Sequence, residues 1–241
     1  MDTSNYLYHH GEQELHGFLA YDDNANKPLP AVLVAHDWSG RNDFVCAKAK
    51  MMAELGYIGF ALDMYGQGRL GSSTAEKMGL MEPLANDRLL LRERVRAAFD
   101  AVISMAEVDY KRVAIIGFCF GGMCALDLAR SGAELKGVVS FHGLLDQPKE
   151  IPNQEINAKI LALHGYDDPM VPPLQLDGFC QEMTQSNVDW QVNIYGNTKH
   201  AFSNPDAHNL QLGTVYNAKA DRRSWAAMRQ FLHEIFNDDA D

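Results

Sequence analysis

Six short apolar runs, at 31–35, 57–62, 113–117, 137–141, 159–163 and 189–195, recur along a chain of 241 residues. Most are rich in Val, Ile and Leu and do not alternate with polar residues, the pattern of strands buried on both faces. The spacing predicts helices over 44–55, 82–107, 121–131, 174–184 and 219–236. The last of these is expected to bury Trp225, Met228, Phe231, Leu232, Ile235 and Phe236. Two earlier strands, at 6–8 and 15–21, read as a hairpin across His10-Gly11. Residues 66–79, rich in Gly and Ser, read as a loop, as do the segments after 141 and 195. Strands alternating with helices build a mostly parallel sheet covered on both faces. No linker or repeat divides the chain, which predicts a single α/β domain over 1–241, with a central sheet of about eight strands.

The formal charge of −11 disfavours nucleic acid and anionic membranes, since both require a basic face. The first residues, MDTSNYLYHHGEQ, lack the basic start and apolar run of a secretory signal. No window approaches the 18 or more apolar residues of a membrane-spanning helix. Cys46, Cys119, Cys124 and Cys180 form no C-x-x-C pair, which predicts reduced thiols and a cytoplasmic location. An enzyme of this size works as a monomer or a homodimer.

One stretch carries the chemistry. Gly117-Phe118-Cys119-Phe120-Gly121 lies between the strand at 113–117 and the helix that begins at 121. A nucleophile elbow requires this order: a strained strand-to-helix turn that lifts one side chain above the sheet, with small neighbours so that strand and helix can approach. Serine is the usual residue at its tip, and sulfur serves the same geometry. A free cysteine is otherwise a small buried hydrophobe. The Phe120 N–H at the helix start is a candidate oxyanion donor.

The partners of an elbow follow it in the chain, acid first and histidine second. The loop after 159–163 reads His164-Gly165-Tyr166-Asp167-Asp168-Pro169, and Asp168 is the preferred acid. The competing reading is that both aspartates only cap the next helix, and Asp146 is the reserve candidate. His36, His142 and His164 also stand at strand ends, but His200 is the one that follows both Cys119 and an eligible acid in such a loop. Together, His200 takes the thiol proton, Asp168 orients the imidazole and Cys119 attacks a carbonyl. The second oxyanion donor belongs to the loop after 31–35, where the Trp38 N–H is the candidate.

With these residues in place, the chain resembles the dienelactone hydrolase family of α/β-hydrolases. The resemblance is carried by VLVAHDWSGRND at 32–43, ALDMYGQG at 61–68, IIGFCFGG at 115–122, VSFHG at 139–143, LALHGYDDPMVPP at 161–173 and YGNTKHAFSNPDA at 195–207. It implies the α/β-hydrolase fold, hydrolysis of an ester or lactone, a small-molecule partner, and neither a metal nor an organic cofactor. It places Asp37 where the family has a glutamate that holds the resting thiol, one methylene longer. It also implies arginines that hold a substrate carboxylate. Asn204 stands at one of those positions and Arg88 near the other, where the competing reading is a solvated helix face. Trp38, Tyr65, Phe118, Phe120 and Phe202 are the aromatic candidates for an apolar pocket, with Phe202 counted among the substrate-binding residues. Two other functions use the same residues: a binding module with a relic triad, and a thiol redox sensor, for which Cys124 is the nearest second sulfur in sequence.

Overall fold

The computed structural model describes residues 1–25 and 27–237. The predicted hairpin is present as β1 (Asp2–His10) and β2 (Gln13–Tyr21), turning at Gly11 with φ +56°. The apolar runs become β3 (Leu29–Ala35), β4 (Ile58–Ala61), β5 (Val108–Phe118), β6 (Gly137–Phe141), β7 (Lys159–Gly165) and β8 (Trp190–Tyr195). They form one eight-stranded sheet in the order β1-β2-β4-β3-β5-β6-β7-β8. Every pairing from β4 to β8 is parallel, and only β1–β2 and β2–β4 are antiparallel.

Side chains of the central strands alternate between two cores, as the two-residue period of a strand requires. In β3, Ala31, Leu33 and Ala35 enter one core, and Val32 and Val34 the other. β7 divides likewise, with Ile160 and Ala162 on one side and Leu161 and Leu163 on the other. The first core is closed by α3 (Arg88–Ile103), α4 (Phe120–Arg130) and α5 (Pro173–Gln185). The second is closed by α1 (Asp43–Glu54) and α6 (Ala218–Asn237). Met228, Phe231, Leu232, Ile235 and Phe236 of α6 are buried as expected, whereas Trp225 is half-buried beneath the Lys48 ammonium, 4.4 Å from its ring centre.

Two predicted boundaries are corrected. The loop at 66–79 ends at Ser73, and α2 (Thr74–Asn86) begins there with a capping box. Ser73 Oγ accepts the Glu76 N–H at 3.2 Å, and Glu76 Oε2 accepts the Ser73 N–H at 3.2 Å. Gly79 therefore lies inside a helix. The single helix expected over 82–107 is two, because the Asp87 carboxylate turns back to accept the Leu90 N–H at 2.9 Å and starts α3 anew. The loop after β8 also carries a small antiparallel hairpin, β9 (His208–Asn209) and β10 (Thr214–Val215).

Among the described residues, no helix is long and apolar enough to cross a membrane. The loops that follow the C-terminal ends of β3, β5, β7 and β8 come together at one edge of the sheet, where open α/β sheets bind their ligands.

Candidate active site

Cys119 is the only residue between β5 and α4, and its backbone is strained, with φ +55° and ψ −116°. A side chain at positive φ costs on the order of 1–3 kcal/mol and is retained only where the surroundings enforce it. Here two glycines do so. A Cβ on Gly117 would run into the carbonyl of Gly121, and a Cβ on Gly121 into the carbonyl of Ala35. The strand and the helix are therefore pressed together below the cysteine, and Cys119 is lifted to the cleft wall.

His200 and Asp168 meet it from two other loops. His200 Nδ1 donates to Asp168 Oδ2 at 2.8 Å, and both residues are buried. The other oxygen, Oδ1, accepts the Met170 N–H at 2.8 Å. Asp168 thus caps its own turn and holds the histidine at once, so the two readings of this residue are not exclusive. Asp167 is exposed. Asp146 is half-exposed and engaged by Arg88 and Gln175, away from His200.

His200 Nε2 is buried with no hydrogen-bond partner among the described residues. Burial by itself lowers the pKa of this ring, but the neighbouring Cys119 sulfur and the Asp168 hydrogen bond outweigh it and push it up to about 10. The direction favours the protonated ring. A titration of the His200 ring followed by NMR is expected to show no deprotonation between pH 5 and 8 and to move near pH 10. A midpoint near the ordinary value of ~6.5 would mean that the histidine is neutral and unpaired.

The ring of His142, at the end of β6, stands edge-on to His200 with centres 5.2 Å apart. Burial, and then the His200 charge, hold it well below the usual histidine range, so it is neutral. Its Nε2 is hydrogen-bonded to Ser203 Oγ at 2.8 Å. His142 reads in sequence as a strand-end histidine, with no local signal that sets it against His200.

The backbone N–H groups of Phe120 and Trp38 have no acceptor among the described residues. The Phe120 ring itself points into the core, stacked on Tyr65 at 6.0 Å. Asp37 lines the cleft, and its Oδ1 accepts the Ser39 N–H at 2.8 Å. No hydrogen bond joins it to Cys119 among the described residues.

Two expected substrate-binding residues are elsewhere. Arg88 is neither at the cleft nor on a solvated helix face. It is buried against α4, with Nε and Nη2 on the two carboxylate oxygens of Asp127 at 2.6 and 2.7 Å. Nη1 and Nη2 reach Asp146 Oδ2 and its carbonyl at 3.2 and 3.1 Å, so no donor face is left for a substrate. Phe202 is fully buried beneath the site, edge-on to His142 at 5.0 Å and to Tyr195 at 5.6 Å. Of the five aromatic candidates, Trp38 and Phe118 line the cleft.

The cleft holds about 760 Å³. One wall is α2, with Lys77, Met78 and Met81, and another is the β9–β10 segment, with Leu210 and Leu212. The Val215 N–H donates to the His200 carbonyl at 2.9 Å, which ties that hairpin to the histidine loop. Asn204 also lines the cleft.

A sequence model of the Dienelactone hydrolase family matches residues 15–236. A probable 2-oxo-3-(5-oxofuran-2-ylidene)propanoate lactonase of Bradyrhizobium sp is 30% identical over 184 residues, 72% of this chain and 73% of that protein. A putative carboxymethylenebutenolidase of Yersinia pestis is 26% identical over 226 residues, 89% of this chain and 82% of that one. Among solved structures, a dienelactone hydrolase-like promiscuous phosphotriesterase from metagenomic libraries is 35% identical, superposes with a TM-score of 0.93 and covers 98% of both chains. A mostly parallel sheet with Cys119 on a strained strand-to-helix turn, in a chain that the family model matches over residues 15–236, places this protein in the dienelactone hydrolase family of ester and lactone hydrolases.

Proposed function

We propose that Cys119, His200 and Asp168 are the triad of this hydrolase and that turnover passes through an acyl-thioester on Cys119. The observation that carries the reading is His200, fixed by Asp168 on one nitrogen and left without a partner on the other, beside a cysteine on a strained elbow. The Cys119 thiolate adds to the carbonyl carbon of the ester. The carbonyl electron pair moves to the oxygen, where the N–H groups of Phe120 and Trp38 receive it. As the carbonyl re-forms, the C–O bond to the alcohol breaks and His200 gives its Nε2 proton to the leaving oxygen. A water then gives a proton to His200 and attacks the thioester, releasing the acid and restoring the thiolate–imidazolium pair. In a lactone the released alcohol stays tethered to the acyl chain.

The test is the alkylation of Cys119 by iodoacetamide at pH 7, with the other three cysteines replaced. Fast reaction in the wild type and slow reaction in His200→Ala supports a working pair. Equal rates in the two would leave a relic site. Burial pushes the Cys46 and Cys180 thiols up, so His200→Ala is the sharper comparison. The redox alternative is disfavoured, since the only second sulfur near Cys119 in sequence, Cys124, is fully buried in α4.

The lining favours an uncharged ester or lactone with a sizeable apolar group. Trp38, Phe44, Met78, Met81, Leu144 and Leu212 face the cleft, Asp37 and Asp206 add carboxylates to it, and its one lysine among the described residues, Lys77, lies over the Trp38 ring at 5.6 Å. No arginine lines it among the described residues, and Asn204 cannot give the bidentate pairing that arginine gives a carboxylate. Met81→Ser is expected to raise KM for an apolar aryl ester severalfold to about tenfold with kcat unchanged, the signature of lost uniform binding. A KM that does not move would place the acyl or aryl group elsewhere. An aryl phosphotriester belongs in the same panel, because the structure at 35% identity is named a phosphotriesterase.

A further inference from the structure

We infer that His36 is a positioning residue for the oxyanion hole: its ring clamps the carbonyl of the Asp37–Trp38 peptide and so aims the Trp38 N–H. The inference rests on the reading of Trp38 as an oxyanion donor.

The tautomer of His36 follows from its neighbours. The Met64 N–H, a donor, points at His36 Nε2 at 3.1 Å, so Nε2 is the unprotonated nitrogen. The ring proton is therefore on Nδ1, which donates to the Asp37 carbonyl at 2.6 Å. The ring is fully buried, packed against Tyr65 and Phe120 with centres 4.7 and 6.2 Å away. Burial holds it below the usual histidine range, which agrees with a neutral ring.

A peptide is planar and trans, so its N–H points opposite to its C=O. With the Asp37 carbonyl turned inward to His36, the Trp38 N–H of the same peptide is turned away from the core, and Trp38 lines the cleft. The Asp37 carbonyl also receives the Gly40 N–H at 3.4 Å. The next peptide is held as firmly: Tyr65 Oη donates to the Trp38 carbonyl at 2.9 Å and the Ser39 N–H to Asp37 Oδ1 at 2.8 Å. Of the four polar atoms in the two peptides that flank Trp38, only its N–H has no partner among the described residues.

The clamp is itself anchored. Asp63 receives the N–H groups of Tyr65 and Gly66 on Oδ1 at 3.0 and 2.9 Å, and those of Gly68 and His16 on Oδ2 at 2.8 and 3.0 Å. This carboxylate fixes the loop after β4, which supplies both Met64 and Tyr65. A donor aimed before substrate arrives needs no reorganisation when the oxyanion forms, which is where such groups gain their effect.

Two replacements separate this role from simple filling of the core. Asn carries an N–H near the Nδ1 position and lacks the acceptor near Nε2, and Gln does the reverse. His36→Gln is expected to lower kcat for an aryl ester about tenfold to a hundredfold, with KM held within about twofold. His36→Asn should keep at least about a third of kcat. Iodoacetamide alkylation of Cys119 should be unchanged in both, since displacement at a saturated carbon creates no oxyanion. Equal losses in the two variants, or a better-performing Gln, would overturn the assignment. Tyr65→Phe removes only the O–H on the Trp38 carbonyl and serves if the His36 variants do not fold. It should lower kcat severalfold with alkylation intact, and an unaltered kcat there counts against the clamp. Turnover that survives Cys119→Ala would instead overturn the reading of the site, and the clamp with it, which separates the two failures.

Discussion

Cys119→Ala is expected to reduce ester turnover by about 10⁴-fold or more, to what binding and the oxyanion hole provide without a nucleophile. The size follows from the geometry. Cys119 is the only side chain on the elbow, and its strained backbone is enforced by the contacts of Gly117 and Gly121. His200→Ala should cost a similar factor, and the double variant should be little worse than either single one, because groups that act as a unit do not add. Steady-state kinetics on an activated aryl ester, with thermal melts to show that each variant is folded, measures all three. A Cys119→Ala enzyme that keeps a tenth or more of the wild-type kcat would remove the thioester from the pathway.

The second large effect is on stability and comes from Asp127. This fully buried carboxylate of α4 lies among three arginines, with Arg92 Nε 3.9 Å from its Oδ2. Arg88 of α3 holds it through two bonds, and Arg130 Nη1 reaches it at 3.2 Å. Arg130 in turn grips Glu182 of α5 at 2.8 and 2.7 Å and the Leu145 carbonyl at 2.9 Å. Three helices on one face of the sheet are joined by this chain of charges. Asp127→Ala leaves the buried guanidinium groups of Arg88, Arg92 and Arg130 short of a counter-charge, and removing one partner of such a pair costs about 3–5 kcal/mol. Denaturant unfolding is expected to show a loss of that size, with kcat close to wild type wherever the variant is folded. A loss below about 1 kcal/mol would mean that water or Glu182 replaces the carboxylate. A collapse of kcat at unchanged stability would return Arg88 to the substrate site.

The fate of Arg88 shows where sequence reasoning stops. Its partners, Asp127 and Asp146, lie 39 and 58 residues away, and no local pattern connects them to it. An arginine on a helix with alternating leucines reads as surface, and resemblance placed it at the substrate. Only the packing of α3 on α4 decides between these and a third place, the buried network. Phe202 is similar: an aromatic two residues after the histidine fits a pocket wall or a core equally well, and the neighbouring rings of His142 and Tyr195 settle it as core. The break at Asp87 and the start at Ser73 were within reach, since S-x-x-E at 73–76 is a capping box in plain sequence, but Gly79 argued against a helix there.

The strands, their order in the chain, the elbow and the three residues brought around it are properties of the sequence itself. They rest on periodicity and on glycine spacing, which are local, and on chain order, which a parallel sheet converts directly into position along one edge. The cleft walls from α2 and the β9–β10 hairpin, the tautomer of His36, the buried ring of His142 edge-on to His200 and the charges between the helices belong to the tertiary structure. Each depends on which side chains from distant segments share a low-dielectric space, and burial with hydrogen bonding sets protonation and direction only once those neighbours have met.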